Sequence, residues 1–342
     1  MPCSSFHALP VPFELIDKLS ISGGYSAIYS NEEPAVPIVD DWRTRYCSLA
    51  DTFQAVLDRV HNFEVREDDV WIVTSTKCGT TWAQEMTWLI MHDYDFDTAK
   101  KVDLTLRSPF LEFNGVVPNV PHDTIEAANR LKSPRLIKSH LPAWLLPKHL
   151  WIKKPKIIYV YRDPKDAAIS YFHHWRGMVG YEGSKEDFMR SYIKGYVNFN
   201  PFWPHVLDFW QLRNESHVFF TSYERMKQSL GAVIRDVCRF LQKPIQADQL
   251  KRLINHLSFD NMKDNPACNH IKEFESMKAA AGRQVDEFRF VRRGIVGSHK
   301  DELPSKIIRE FDEWCEDKIF KNTFAGLQCL YINRIKTEIN KE

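Results

Sequence analysis

The sequence has no CxxC pair, and its seven cysteines, scattered from Cys3 to Cys329, are odd in number. That argues against a disulfide framework and predicts reduced thiols in a cytoplasmic setting. It has no apolar run long enough to span a bilayer. The first 30 residues hold Glu14, Asp17 and Lys18, so no signal peptide is expected. It also lacks an excess of either charge: 46 Lys and Arg stand against 45 Asp and Glu, a net charge of +1. Nucleic acid and anionic membrane are therefore poor partners, while local basic clusters can still serve a small anionic ligand. No internal repeat or low-complexity tract is present. What the chain does have is 342 residues with 44% hydrophobic and 13% aromatic content. That suffices for a large core and one large α/β domain or two small ones, and argues against disorder.

Residues 1–50 are the least patterned. Pro2, Pro10, Pro12, Pro34 and Pro37, with Gly23 and Gly24, predict extended chain and turns. A rhythm follows. VWIVT (70–74) reads as a buried strand, and TWAQEMTWLIMHDY after it places Trp82, Met86, Leu89 and Ile90 at helical spacing. RLIKSH (135–140), KIIYVYRDP (156–164) and HVFFTSYE (217–224) are further apolar runs, and the last two lead into helical patterns. Strands alternating with helices predict a parallel sheet with helices on both faces. Such sheets bind ligands at the carboxyl ends of their strands.

Those ends carry Lys77 to Thr81, then Lys138-Ser139-His140, then Arg162-Asp163-Pro164, then Tyr223. A later loop, FVRRGIVG (290–297), adds Arg292 and Arg293 before glycine. The expected crevice holds several cations, one histidine and no dense carboxylate cluster. N–H groups at Gly79 to Thr81 would open a helix and suit a phosphate. Arg162 with Arg292 or Arg293 could grip a second phosphate, and Trp82 offers a face for a base. The common triphosphate loop places its lysine after the last glycine and follows it with a magnesium-binding hydroxyl. Here Lys77 precedes Gly79, which does not fit that plan. Asp163 before Pro164 also reads as a helix cap. His173 and His174 would point about 100° apart on a helix, which argues against a paired metal site. Trp88, Phe110, Phe113, Trp175, Trp203 and Trp210 are expected to be mostly core, with a few at an apolar acceptor site.

TSTKCGTTW, IKSHLP, VYRDPKDAAISYFHH, SFDNMKDNP and FVRRGIVG occur in this order. Together they resemble the motifs of cytosolic sulfotransferases, from about Phe63 to about Asp312. The resemblance implies an α/β fold in a single domain, with a central parallel sheet flanked by helices and a P-loop-like loop for phosphosulfate. It implies a variable segment over 1–60 and the sulfotransferase domain over 61–335. The implied donor is 3′-phosphoadenosine 5′-phosphosulfate (PAPS), with 3′-phosphoadenosine 5′-phosphate (PAP) as product and no metal. The implied acceptor is a small phenol, steroid, retinoid or similar molecule with a hydroxyl or amine. By the same resemblance Lys77, Cys78, Gly79, Thr80 and Thr81 hold the 5′-phosphosulfate and Trp82 stacks on adenine. Arg162 and Ser170 meet the 3′-phosphate with Val291, Arg292, Arg293 and Gly294. Tyr223, Ser258, Phe259 and Met262 line the adenosine site. His140 is the implied general base, with Lys138 and Lys77 as catalytic lysines.

Three departures stand out. Ser75-Thr76 and Cys78 replace the family's Tyr-Pro and serine in the loop. A thiol at a helix N-terminus beside Lys77 is expected to have a lowered pKa, with an inert packed thiol as the alternative. Ser298-His299 replace Asp-Trp in the late loop, leaving its packing open. At the family's dimer motif this chain has Lys300, Pro304-Ser305 and Arg309, which predicts a monomer. Alternative readings are sulfation-linked dehydration of an allylic alcohol, as in retinol dehydratase, a P-loop kinase, or a nucleotide-binding protein without transfer.

Overall fold

A computed structural model of the chain describes residues 5–11, 24–117, 122–271 and 290–320. Its centre is a four-stranded parallel sheet. The strands are β4 (Val70–Val73), β5 (Leu136–Ser139), β6 (Lys156–Tyr161) and β7 (Val218–Ser222), in the spatial order β5-β4-β6-β7. Each was expected from an apolar run, and each lies within that run. Side chains of a strand alternate between faces. Trp71 and Val73 therefore join one core cluster with Ile137, Ile157 and Tyr159. Val70 and Ile72 join another with Leu136, Ile158 and Val160, against Met86, Leu89 and Ile90 of the helix Thr80–Met91. A buried two-pronged pair from Arg135 to Asp69, at 2.7 and 2.6 Å, ties the amino ends of β5 and β4.

The strand order places the site. From β4 the chain crosses outward to β5, and from β6 it crosses the other way to β7. The connections leaving β4 and β6 thus diverge, which opens a crevice at their carboxyl ends. The helix Pro164–His174 follows β6, with Pro164 at its first position. Asp163 accepts from the N–H groups of Lys165 and Asp166, as its sequence predicts.

One expectation needs correcting. The first 50 residues are more than extended chain and turns. They contain β1 (Phe6–Pro10), β2 (Tyr25–Ser30) and β3 (Tyr46–Ala50), an antiparallel sheet in the order β1-β2-β3. It is anchored by reciprocal bonds between Ser48 and Phe199–Asn200, at 2.8 and 2.7 Å. Ile28, Cys47 and Leu49 face the same core cluster as Trp71. FHALP, YSAIYS and YCSLA hold no continuous apolar run, and the sheet depends on that contact. Residues 321–335 of the expected domain lie outside the described residues.

Candidate functional site

The loop between β4 and the helix Thr80–Met91 is built on two left-handed residues. Lys77 has φ +62° and Gly79 +98°. Glycine is required at 79 twice over, because a Cβ there would also lie 2.8 Å from the Tyr223 ring. Gly79 supplies no side-chain cap, so the first N–H groups of the helix face the crevice uncapped. Thr80 Oγ1 bonds Thr74 Oγ1 at 2.7 Å and fastens the end of the loop to its start. Thr81 and Trp82 are half-buried, and the Trp82 indole N–H donates to the Leu257 carbonyl at 3.0 Å.

Arg162, at the end of β6, is buried. It donates to the carbonyls of Lys77 at 3.1 Å and Ile295 at 3.3 Å, and it lies 4.3 Å from the Tyr223 ring centroid. Its Nε is buried without a partner. A guanidinium held this way joins the first loop to the late loop and retains a donor for an anion. Gly294, φ +61°, makes the late loop's close approach, since a Cβ would sit 2.3 Å from the Phe259 ring. Arg292 and Arg293 both donate to Glu302, at 2.8 and 3.1 Å. His173 also bonds this carboxylate, at 2.7 Å. Burial would raise the Glu302 pKa, but the bonds from His173 and Arg292 bring it to about 2.

The late loop's packing follows from Asp166. This buried carboxylate accepts from the N–H groups of Gly297 at 2.6 Å and His299 at 3.1 Å, and bonds the His299 ring at 2.9 Å. Hydrogen bonds to Asp166 thus anchor His299 and the late loop. Ser170 and Val291 are half-buried. Ser258 caps its short helix by accepting from the Asn261 N–H, at 3.4 Å. Met262 is buried in the core cluster beside Ile72 and Met86.

His140, beyond β5, is buried. Its Nδ1 lies 2.9 Å from the Thr74 carbonyl oxygen. A carbonyl can only accept, so Nδ1 carries the hydrogen and Nε2 has the lone pair. Desolvation, then the charge of Lys138, push the His140 pKa well below its ordinary value, so the ring is neutral near pH 7. Phe110 packs on it edge-on at 5.2 Å and Phe199 at 5.6 Å. Lys138 Nζ lies 4.1 Å from the Phe110 ring centroid, and Lys77 Nζ 3.9 Å from that of Phe290. Desolvation, then repulsion from Lys138, Arg162 and Arg292, lowers the Lys77 pKa to about 7. His174 shares this environment: burial and then the charges of Lys77 and Lys138 depress its pKa strongly, and its ring meets Phe290 at 5.8 Å. His173 turns instead to Glu302, so the adjacent histidines diverge as expected.

The arrangement is a phosphate-type cradle beside a neutral imidazole, two lysines and an apolar wall. Residues 67–323 match the family model of the sulfotransferase domain. The chain belongs to the sulfotransferase family. The luciferin sulfotransferase of Photinus pyralis is 33% identical over 311 residues, covering 86% of this chain and 84% of that protein. The amine sulfotransferase of Oryctolagus cuniculus is 33% identical over 287 residues, covering 83% and 90%. Among solved structures, mouse sulfotransferase SULT7A1 complexed with PAP aligns with a TM-score of 0.65 at 26% identity, over 83% of this chain and 96% of that one. Retinol dehydratase with retinol and PAP aligns at 0.78 and 23% identity, over 92% and 96%, a likeness of fold. This sulfotransferase is thus an enzyme of sulfuryl transfer on an α/β scaffold.

Two features of this sulfotransferase differ from or escape the sequence reading. Cys78 is not an exposed, activated thiol. It is fully buried among residues such as Ala167, Phe172 and Trp203, and desolvation pushes its pKa up despite Arg162 and Lys77 nearby. Glu112 and His205 were not foreseen. The His205 Nε2–H donates to the His140 carbonyl at 3.1 Å, and its Nδ1 accepts from the Tyr159 hydroxyl at 2.9 Å. Among the described residues no group of His, Cys, Asp or Glu is placed to hold a metal, and no helix is long and apolar enough to cross a membrane.

Proposed function

We propose that this enzyme moves the sulfuryl group of PAPS to a hydroxyl or amine of a small, largely apolar acceptor, by in-line displacement and in the cytoplasm. The cradle fits such a donor: the uncapped N–H groups after Gly79 suit its 5′ end, and the buried Arg162 with an unpartnered Nε suits a 3′-phosphate. Cys78, Thr80 and Thr81 belong to the first subsite. Ser170, Val291, Arg292, Arg293 and Gly294 belong to the second, and Trp82, Tyr223, Ser258, Phe259 and Met262 surround the adenosine. When bound, PAPS supplies the sulfur electrophile and a phosphate leaving group. His140 Nε2 takes the acceptor's proton as the new S–O or S–N bond forms and the bridging S–O bond breaks. Lys138 faces charge on the sulfuryl oxygens, and Lys77 meets the charge left on the bridging oxygen. Phe110 and Phe199, packed on the His140 ring, make the acceptor side apolar.

The observation that carries this reading is the Nδ1–H bond from His140 to Thr74, which leaves the basic nitrogen at Nε2. His140→Ala should lower turnover about 10²- to 10⁴-fold, while calorimetry shows PAP binding within a few-fold of wild type. Near-normal turnover across pH 6–8 would remove the general-base role. Product analysis with labelled PAPS separates a stable sulfate ester from a dehydrated acceptor. We read the chain as a monomer in solution, and light scattering showing a dimer would correct that.

A further inference from the structure

The mechanism above gives no task to Glu112, although its carboxylate is completely buried one residue's reach from the base. Oε1 accepts from the His140 N–H at 2.6 Å and from Ser139 Oγ at 3.0 Å, while Oε2 is buried with no partner. The stretch around Glu112 is locked to β5. Lys138 donates to Pro109 at 2.9 Å, and Leu111 donates to Lys138 at 3.0 Å. Phe110, from the same stretch, packs on the His140 ring. A half-satisfied buried carboxylate is costly to keep and asks for a reason.

We propose that Glu112 is a positioning residue for sulfuryl transfer, fixing the His140 backbone and supplying the negative charge that offsets the imidazolium formed there. This rests on His140 being the base. The charged group facing Glu112 is Lys138 of β5, His140 meets it through its backbone N–H, and the Cys47 thiol of β3 feels its charge. Lys77, His174 and His205 act on His140 from the other elements. Lys138, His205 and Lys77 oppose a proton on His140, so a buried anion bonded to its backbone has leverage where little water screens the field. Burial, only partly offset by the two hydrogen bonds, raises the Glu112 pKa to about 7.

The sign follows. Above about pH 7 Glu112 is ionised and assists proton transfer; below, it is neutral and the assistance is lost. In the free enzyme His140 titrates well below its ordinary value; the bound donor's negative charge raises it along with Glu112, so loss of the limb in Glu112→Gln decides which group makes it. The kcat profile should rise at about pH 7 or somewhat above, because the bound donor lifts the Glu112 pKa further. Glu112→Gln preserves shape and the Oε1 acceptor but cannot ionise. It should lower kcat about 10- to 100-fold, leave the KM for PAPS within about threefold, and move the rise to lower pH. In the His140→Ala background the same change should add little further loss. Ser139→Ala, which loosens the carboxylate but keeps it ionisable, should retain the limb near 7. PAP calorimetry on each variant confirms a folded donor site. Wild-type kcat and an unmoved limb in Glu112→Gln, with His140→Ala inactive, would overturn the role of Glu112 and leave the base in place. An undiminished loss in the double variant would also overturn it. An active His140→Ala would instead remove the base assignment itself.

Discussion

Lys77 should take up a proton when the donor site fills. With a pKa of about 7 in the free enzyme, it is about one-tenth protonated at pH 8, half at pH 7 and nine-tenths at pH 6. Two features depress it: desolvation and the cations Lys138, Arg162 and Arg292. A bound polyanion reverses the second by placing negative charge among them, returning the amine toward its ordinary value. Binding of PAP should then consume about 0.9 proton at pH 8, 0.5 at pH 7 and 0.1 at pH 6. By linkage, affinity should fall nearly tenfold per pH unit above about 7.5 and flatten below 6.5. Calorimetry in two buffers of different ionisation enthalpy at each pH reads the proton count directly. His140 and His174 share the cavity and are also held neutral, so Lys77→Met is the control: it should abolish most of the uptake at pH 8. Uptake below about 0.2 proton at pH 8, or uptake unchanged in Lys77→Met, would refute the reasoning.

Two further outcomes are expected. Arg162, with its unpartnered Nε, should discriminate PAP from adenosine 5′-phosphate by about 2–5 kcal/mol, roughly 30-fold or more; equal affinities by calorimetry, or a preference intact in Arg162→Ala, would sink the assignment. Cys78 should resist alkylation in the native enzyme and label only on unfolding, because its thiol is fully buried and its pKa raised; labelling of native Cys78 located by mass spectrometry, with loss of activity, would restore the reactive-thiol reading.

How legible the molecule was depended on how local each feature is. The four parallel strands and their helices rest on apolar runs within single segments, and Lys77, Lys138, His140 and Arg162 were readable because strand ends of such a sheet converge. The order of motifs carried the family. The N-terminal sheet was not legible, since β2 and β3 mix small and polar residues among the apolar ones and gain their burial from the Ser48 contact with Phe199–Asn200 and from the cluster around Trp71. Tertiary structure alone decided the state of Cys78: neighbours in sequence argued for a thiolate, while Ala167, Phe172 and Trp203 removed the water that a thiolate needs. It alone showed that Asp166 clasps a loop more than 130 residues away. It alone showed which nitrogen of His140 is basic, because Thr74, 66 positions earlier, fills the other. Segment identity is written in local pattern. Protonation, tautomer and counter-charge are set by whichever distant groups the fold brings within hydrogen-bonding reach, and no local pattern encodes that.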